Sequence, residues 1–88
     1  MTRLANRNRT VRTSEQLQEA ILEDLRQGPS GPYLLAERLS EPPFRVTAEL
    51  KTLGRARLVA ELPRYSRMWH LTASGHAHLN KRFQLEMF

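Results

Sequence analysis

Eighty-eight residues without a cysteine, 40% of them hydrophobic and 26% charged, describe one small globular domain that can form neither a disulfide nor a thiolate-rich metal site. The net charge of +5 and a sequence pI near 10.7 direct attention to a polyanionic partner. The sequence has no apolar run approaching the ~18 residues of a membrane span, and its arginine-rich start is not followed by the apolar stretch of a signal peptide, so no membrane partner and a cytoplasmic location are expected.

The charge is segregated along the chain. Residues 1–13 carry Arg3, Arg7, Arg9 and Arg12 with no acid, residues 14–37 hold five acids against Arg26, and residues 38–75 hold seven bases against Glu41, Glu49 and Glu61. Residues 1–12 have few apolar side chains and no periodicity, which reads as a flexible basic arm. Order begins at Thr13. Thr13-Ser14-Glu15-Gln16 fits a capping box, in which the hydroxyl accepts from the third backbone N–H and the glutamine reaches back to the cap. Leu17, Ala20, Ile21, Asp24 and Leu25 then recur at three- and four-residue steps, with Leu22 widening the stripe, until Gly28-Pro29. The acids of this helix are expected on its outer face.

After Pro29, Gly31 and Pro32, the stretch Tyr33–Leu39 spans about two helical turns with Leu35 and Leu39 on one face, closed by Ser40-Glu41-Pro42-Pro43. Pro43 suits a first helical position, and Val46, Leu50 and Leu53 make a second amphipathic stripe that runs to about Arg55. The period then changes. Leu58–Leu62 and Arg67–Leu71, placed around Pro63-Arg64-Tyr65-Ser66, read as a β-hairpin, with Trp69 expected in the core. Thr72 is a candidate cap, and His76 to about Met87 reads as a final helix with Leu79, Phe83 and Met87 at four-residue spacing.

Four stretches recur in this order in a known architecture. They are Leu35-Ala36-Glu37-Arg38-Leu39, then Val46 with Leu50-Lys51-Thr52-Leu53, then Leu58-Val59, and finally Leu71-Thr72-Ala73-Ser74-Gly75, which is similar to the Leu-Thr-x-x-Gly that follows the wing in many such proteins. Over residues 14 to about 76 the chain thus resembles winged helix-turn-helix regulators of the MarR, ArsR and PadR kind. The resemblance implies an α+β fold of three helices, a two-stranded wing hairpin and a C-terminal helix. It divides the chain into an arm at 1–12, a winged-helix domain at 13–75 and a helix at 76–88 that is also a candidate dimerisation element. The chain departs from the pattern twice: Arg57 stands where glycine often precedes the wing, and Glu41-Pro42-Pro43 fills a turn that often holds a small or apolar residue. Arg57 is expected to adopt a left-handed conformation at some cost unless the preceding helix ends differently.

The function implied is DNA binding through a recognition helix at 43–55, because a major groove about 12 Å wide admits one α-helix. With Val46, Leu50 and Leu53 committed to the core, Phe44, Arg45, Thr47, Ala48, Glu49, Lys51 and Thr52 are expected to point outward. Arg45 suits a bidentate contact to guanine, Phe44 or Ala48 a thymine methyl, Thr47 or Thr52 a base or phosphate, and Glu49 a cytosine amine. At the wing, residues 63–67, Arg64, Tyr65, Ser66 and Arg67 are expected over the flanking minor groove or backbone. Arg3, Arg7, Arg9 and Arg12 suit a neighbouring groove or phosphate row. Leu79, Phe83, Met87 and Phe88 are assigned to a homodimer contact, which would set two recognition helices about one DNA turn apart.

Other chemistries find little support. His76 and His78 stand two apart on a helix and so face different ways, and Asp24 is the single aspartate, so neither a metal nor another cofactor is expected. No acidic pair, glycine-rich phosphate loop or nucleophile with a nearby base stands out, which argues against an enzyme. The reading is a transcriptional regulator that binds double-stranded DNA sequence-specifically. The alternative is a winged-helix protein-interaction module, with Phe44 or the apolar tail meeting a protein partner; a third option is RNA or non-specific nucleic-acid binding. The separation of charge between the first helix and the motif favours DNA.

Overall fold

The structure, a computed structural model, describes residues 11–63 and 67–86, with residues 82–86 described as backbone only. Arg3, Arg7, Arg9, Arg64, Tyr65, Ser66, Met87 and Phe88, together with the Phe83 side chain, lie outside the described residues.

Helix α1, Ser14–Leu25, begins at the expected capping box: the Gln16 amide donates to Thr13 Oγ1 at 3.1 Å and the Thr13 amide donates to Gln16 Oε1 at 2.9 Å. Its stripe of Leu17, Ile21, Leu22 and Leu25 is buried. The acids do not all face outward, since Asp24 accepts both Nε and Nη2 of Arg38, at 3.1 and 2.6 Å. Gly28 turns the chain at φ 142, and helix α2, Pro32–Leu39, follows. It ends at Ser40 in the left-handed conformation, φ 56, which permits a tight turn into helix α3, Pro43–Arg55. Pro43 occupies the first turn, where its missing N–H costs nothing, and Pro42 supplies the extended residue before it.

After α3 the chain reverses through Arg57, which takes the expected left-handed conformation at φ 67, while the Leu58 amide donates back to the Leu53 carbonyl at 3.0 Å. Strands β1, Val59–Glu61, and β2, Trp69–Leu71, pair antiparallel with Val59 opposite Leu71 and Glu61 opposite Trp69. A third participant, unmarked by any spacing or motif, joins them. Ser30 and Trp69 exchange two backbone hydrogen bonds, at 3.0 and 2.8 Å, and so pin the loop before α2 to the edge of the hairpin. Helix α4, Ala73–Glu86, starts at Ala73 rather than His76, because Thr72 Oγ1 accepts from the Gly75 amide at 3.0 Å and also donates to the Arg57 carbonyl at 2.6 Å.

The core draws on every helix and both strands: Leu17, Ile21, Leu22 and Leu25 meet Leu35, Val46, Leu50, Leu53, Val59, Leu71 and Leu79, with Leu39, Leu58 and Trp69 packed at its margin. One expectation is corrected here. Leu79, assigned to a dimer contact, is 2% exposed, because α4 lies against α1 and β2 and directs this side chain into the domain's own interior. The architecture is the α+β winged helix that the order of elements implies, with four helices and a two-stranded hairpin among the described residues.

Candidate nucleic-acid interface

Helix α3 presents two unlike faces. Val46, Glu49, Leu50 and Leu53 are buried, at the i, i+3, i+4, i+7 spacing of one helical stripe. The opposite face carries Phe44, Ala48, Lys51 and Arg55, all exposed, flanked by half-buried Thr47 and exposed Thr52. Phe44 leaves 75% of its surface to solvent, a large apolar side chain that the fold does not use.

The placement of Glu49 reverses its expected position. It is 9% exposed, and Oε1 accepts from Nε2 of Gln18 on α1 at 2.7 Å. A buried carboxylate needs a donor, and Gln18 supplies it. The spacing from Val46 and Leu53 was the available signal that Glu49 faces inward; its partner, 31 residues away, was not legible. The outward face of α3 consequently carries no acid.

Arg45 also departs from expectation. Its side chain is 24% exposed; Nη1 donates to Glu41 Oε1 at 3.0 Å, and Nη2 donates to the Arg12 carbonyl. The guanidinium is therefore held beside the turn, to one side of the stripe headed by Phe44. Arg12, assigned to a free arm, is docked as well: Nη1 donates to the Leu39 carbonyl at 2.7 Å and to Glu41 Oε2 at 2.9 Å. Glu41, 9% exposed in its side chain, thus sits between two guanidinium groups.

Arg55 is the residue that sequence reasoning missed. It is exposed and stands four residues after Lys51 on the same stripe, a spacing that could have identified it. Lys51, Gly54 and Arg55 form one wall of a shallow groove whose other wall is Ala60, Glu61 and Trp69 of the hairpin. An ideal Cβ on Gly54 would stand 3.3 Å from Trp69 Cζ3, so the absent side chain lets the indole close against α3. At the base of the wing, Arg67 is exposed with φ 75, and its amide donates to Glu61 Oε2 at 3.2 Å.

Two histidines have partners within the fold. His78 Nε2 lies 3.0 Å from Glu19 Oε2, and His70 Nδ1 lies 2.9 Å from the Leu71 carbonyl. Among the described residues no three His, Cys, Asp or Glu side chains converge to hold a metal ion, and no helix is long and apolar enough to cross a membrane.

No family model matches the sequence, and no curated protein matches it. Solved structures do resemble the fold. The Zalpha domain of PKZ from Carassius auratus, solved in complex with Z-DNA, is 25% identical with a TM-score of 0.63 over 67% of this chain and 97% of that one. A mutant of ZitR from Lactococcus lactis is 28% identical, with a TM-score of 0.58 over 84% of this chain. A MarR family regulator from Neisseria meningitidis is 26% identical, with a TM-score of 0.60 over 77% of this chain. The chain spans 64% and 54% of the lengths of the last two. With the order of its elements and these likenesses of fold, the chain is a winged helix-turn-helix domain.

Proposed function

We propose that the protein binds double-stranded DNA sequence-specifically as a small transcriptional regulator, with α3 in the major groove and the wing, residues 63–67, on the flanking groove or backbone. The observation that carries this reading is the acid-free outer face of α3. Glu49 is spent on Gln18 and Glu41 on two arginines, so the outer stripe of α3 offers a polyanion Lys51 and Arg55 with no acid of the helix among them, while Glu61 stands across the groove on the hairpin and accepts the Arg67 amide. The Z-DNA complex of the similar Zalpha domain and the regulator from Neisseria meningitidis add weight.

In this reading Phe44 and Ala48 meet apolar base edges such as thymine methyls, Lys51 and Arg55 meet guanine or phosphate, and Thr47 and Thr52 donate or accept at bases. Arg45 leaves the set of base readers because its guanidinium is engaged at the turn. Arg64, Tyr65, Ser66 and Arg67 flank the groove, Arg3, Arg7 and Arg9 follow the backbone, and a second copy gives a two-fold symmetric site.

Selection from a random-sequence duplex pool at about 50 and 200 mM salt tests the reading, because phosphate contacts declare themselves in that range. An enriched, two-fold symmetric motif is expected, with Lys51→Ala and Arg55→Ala each weakening binding by about 1–3 kcal/mol. Salt-sensitive binding without enrichment would remove the sequence specificity. No binding even at low salt would end the DNA reading and direct the search to a protein partner.

A further inference from the structure

Beside the turn between α2 and α3 lies an open cleft whose charged lining is Arg12, Arg38, Arg45 and Glu41. The three arginines are not equivalent. Arg38 is neutralised by a two-point contact to Asp24 and a further bond to Ser30 Oγ at 2.6 Å. Arg12 and Arg45, in contrast, share the single carboxylate of Glu41, so among the described residues the cluster keeps one positive charge without a counterion. Glu41 and two backbone carbonyls, those of Leu39 and Arg12, hold these guanidinium groups close to one another. Each guanidinium has five N–H donors, and most of them remain unused by these bonds.

Two nearby guanidinium groups with spare donors and a net surplus of one charge match the requirement of a singly charged tetrahedral oxyanion. The site also stands at the first turn of α3, and helix N-termini are among the places from which proteins contact DNA phosphates. We infer that this cleft binds one phosphodiester of the DNA backbone, with Arg12 and Arg45 both contacting the same phosphate and Glu41 acting as the positioning residue that holds them together. The inference rests on the DNA-binding reading and goes beyond it. It gives Arg45 a phosphate in place of a base, and it makes Arg12 part of the binding surface of the folded domain.

A shared phosphate has a signature in salt dependence. Neutralising one phosphate contributes about −0.9 to the slope of log K against log salt. Duplex affinity is measured on one mixed-sequence duplex between about 50 and 200 mM salt for the wild type, Arg12→Gln, Arg45→Gln and the double variant. Each single variant is expected to reduce the magnitude of the slope by about 0.9, and the double variant by the same amount, because one phosphate is lost in all three. Arg12→Lys, which keeps the charge, is expected to keep the slope, and Arg45→Gln carries the test if Arg12→Gln does not fold. Unchanged slopes, or a loss in the double variant twice that in either single, would overturn the shared site while leaving DNA binding intact.

If the wild type binds no duplex, the DNA reading fails and inorganic phosphate becomes the probe. Titrating it while following the arginine Nε–H signals by NMR should shift those of Arg12 and Arg45 together and leave that of Arg38 in place. Shifts confined to this pair would support a site for free phosphate; no shift would overturn the site altogether.

Discussion

The two ends of helix α3 are fastened by different forces. At its first turn Arg45 is held through Glu41 to Arg12, a cluster of charges that remains open to the solvent of a cleft. At its last turn Trp69 closes over Gly54, Arg57 reverses the chain, and the Leu58 carbonyl is pressed against Gly75 at the start of α4. Charges in a cleft are weakened by salt and can exchange one anion for another. Close packing of backbone against backbone can do neither. The end of the helix proposed to meet phosphate is therefore adaptable, whereas the end that aligns the wing is rigid.

The largest effect is expected at the packed end. A Cβ added at Gly75 would stand 2.2 Å from the Leu58 carbonyl oxygen and 2.8 Å from Leu71 Cδ2, and the first of these neighbours is backbone that cannot rotate aside. Gly75→Ala should cost about 3 kcal/mol in urea denaturation, at the upper end of overpacking effects, and the loss should be the same at low and high salt. A cost below about 0.5 kcal/mol would show that the junction between β2 and α4 yields, and the contrast between the two ends would fail.

A smaller and salt-dependent effect is expected at the charged end. Glu41→Gln keeps the shape but removes the charge that both guanidinium groups share, so about 1 kcal/mol should be lost near 50 mM salt and part of that difference should vanish near 1 M, where the screening length falls to about 3 Å. An equal loss at both salt concentrations would mean that Glu41 acts through its hydrogen bonds alone.

The smallest effect, of opposite sign, is expected at Arg57. A left-handed conformation costs an L-residue about 1–2 kcal/mol, and glycine recovers this while losing about 0.4–1 kcal/mol through the greater freedom of the unfolded chain. Arg57→Gly should therefore raise stability by about 0.5 kcal/mol, seen as a higher denaturation midpoint with an unchanged slope. A loss of stability would show that the Arg57 side chain contributes contacts that outweigh its strain.

Local chemistry was the part of this fold most legible beforehand. The capping box at Thr13, the proline start of α3 and the left-handed Arg57 each involve residues within one turn of one another, so spacing alone reveals them. The Leu71-Thr72-Ala73-Ser74-Gly75 run was legible as a resemblance, and the structure supplies its cause: Thr72 caps α4, and only glycine leaves room for the Leu58 carbonyl. The start of α4 was placed too late because the cap, rather than the first apolar residue of the stripe, sets where a helix begins.

The candidate site divides along the same line. Helical periodicity identified the outward stripe of Phe44, Ala48 and Lys51, and by itself the sequence determined the order of elements, the helix boundaries near their caps and most of the core. Tertiary structure alone decided that Glu49 turns to Gln18, that Arg12 and Arg45 meet at Glu41, that Leu79 is interior and that Ser30 pairs with Trp69. The physical reason is range. Caps, turns and stripes arise from interactions within a few residues, which the order of side chains encodes directly, whereas the partner of a buried carboxylate or an edge strand is chosen by whichever distant segment the packed core brings within about 3 Å.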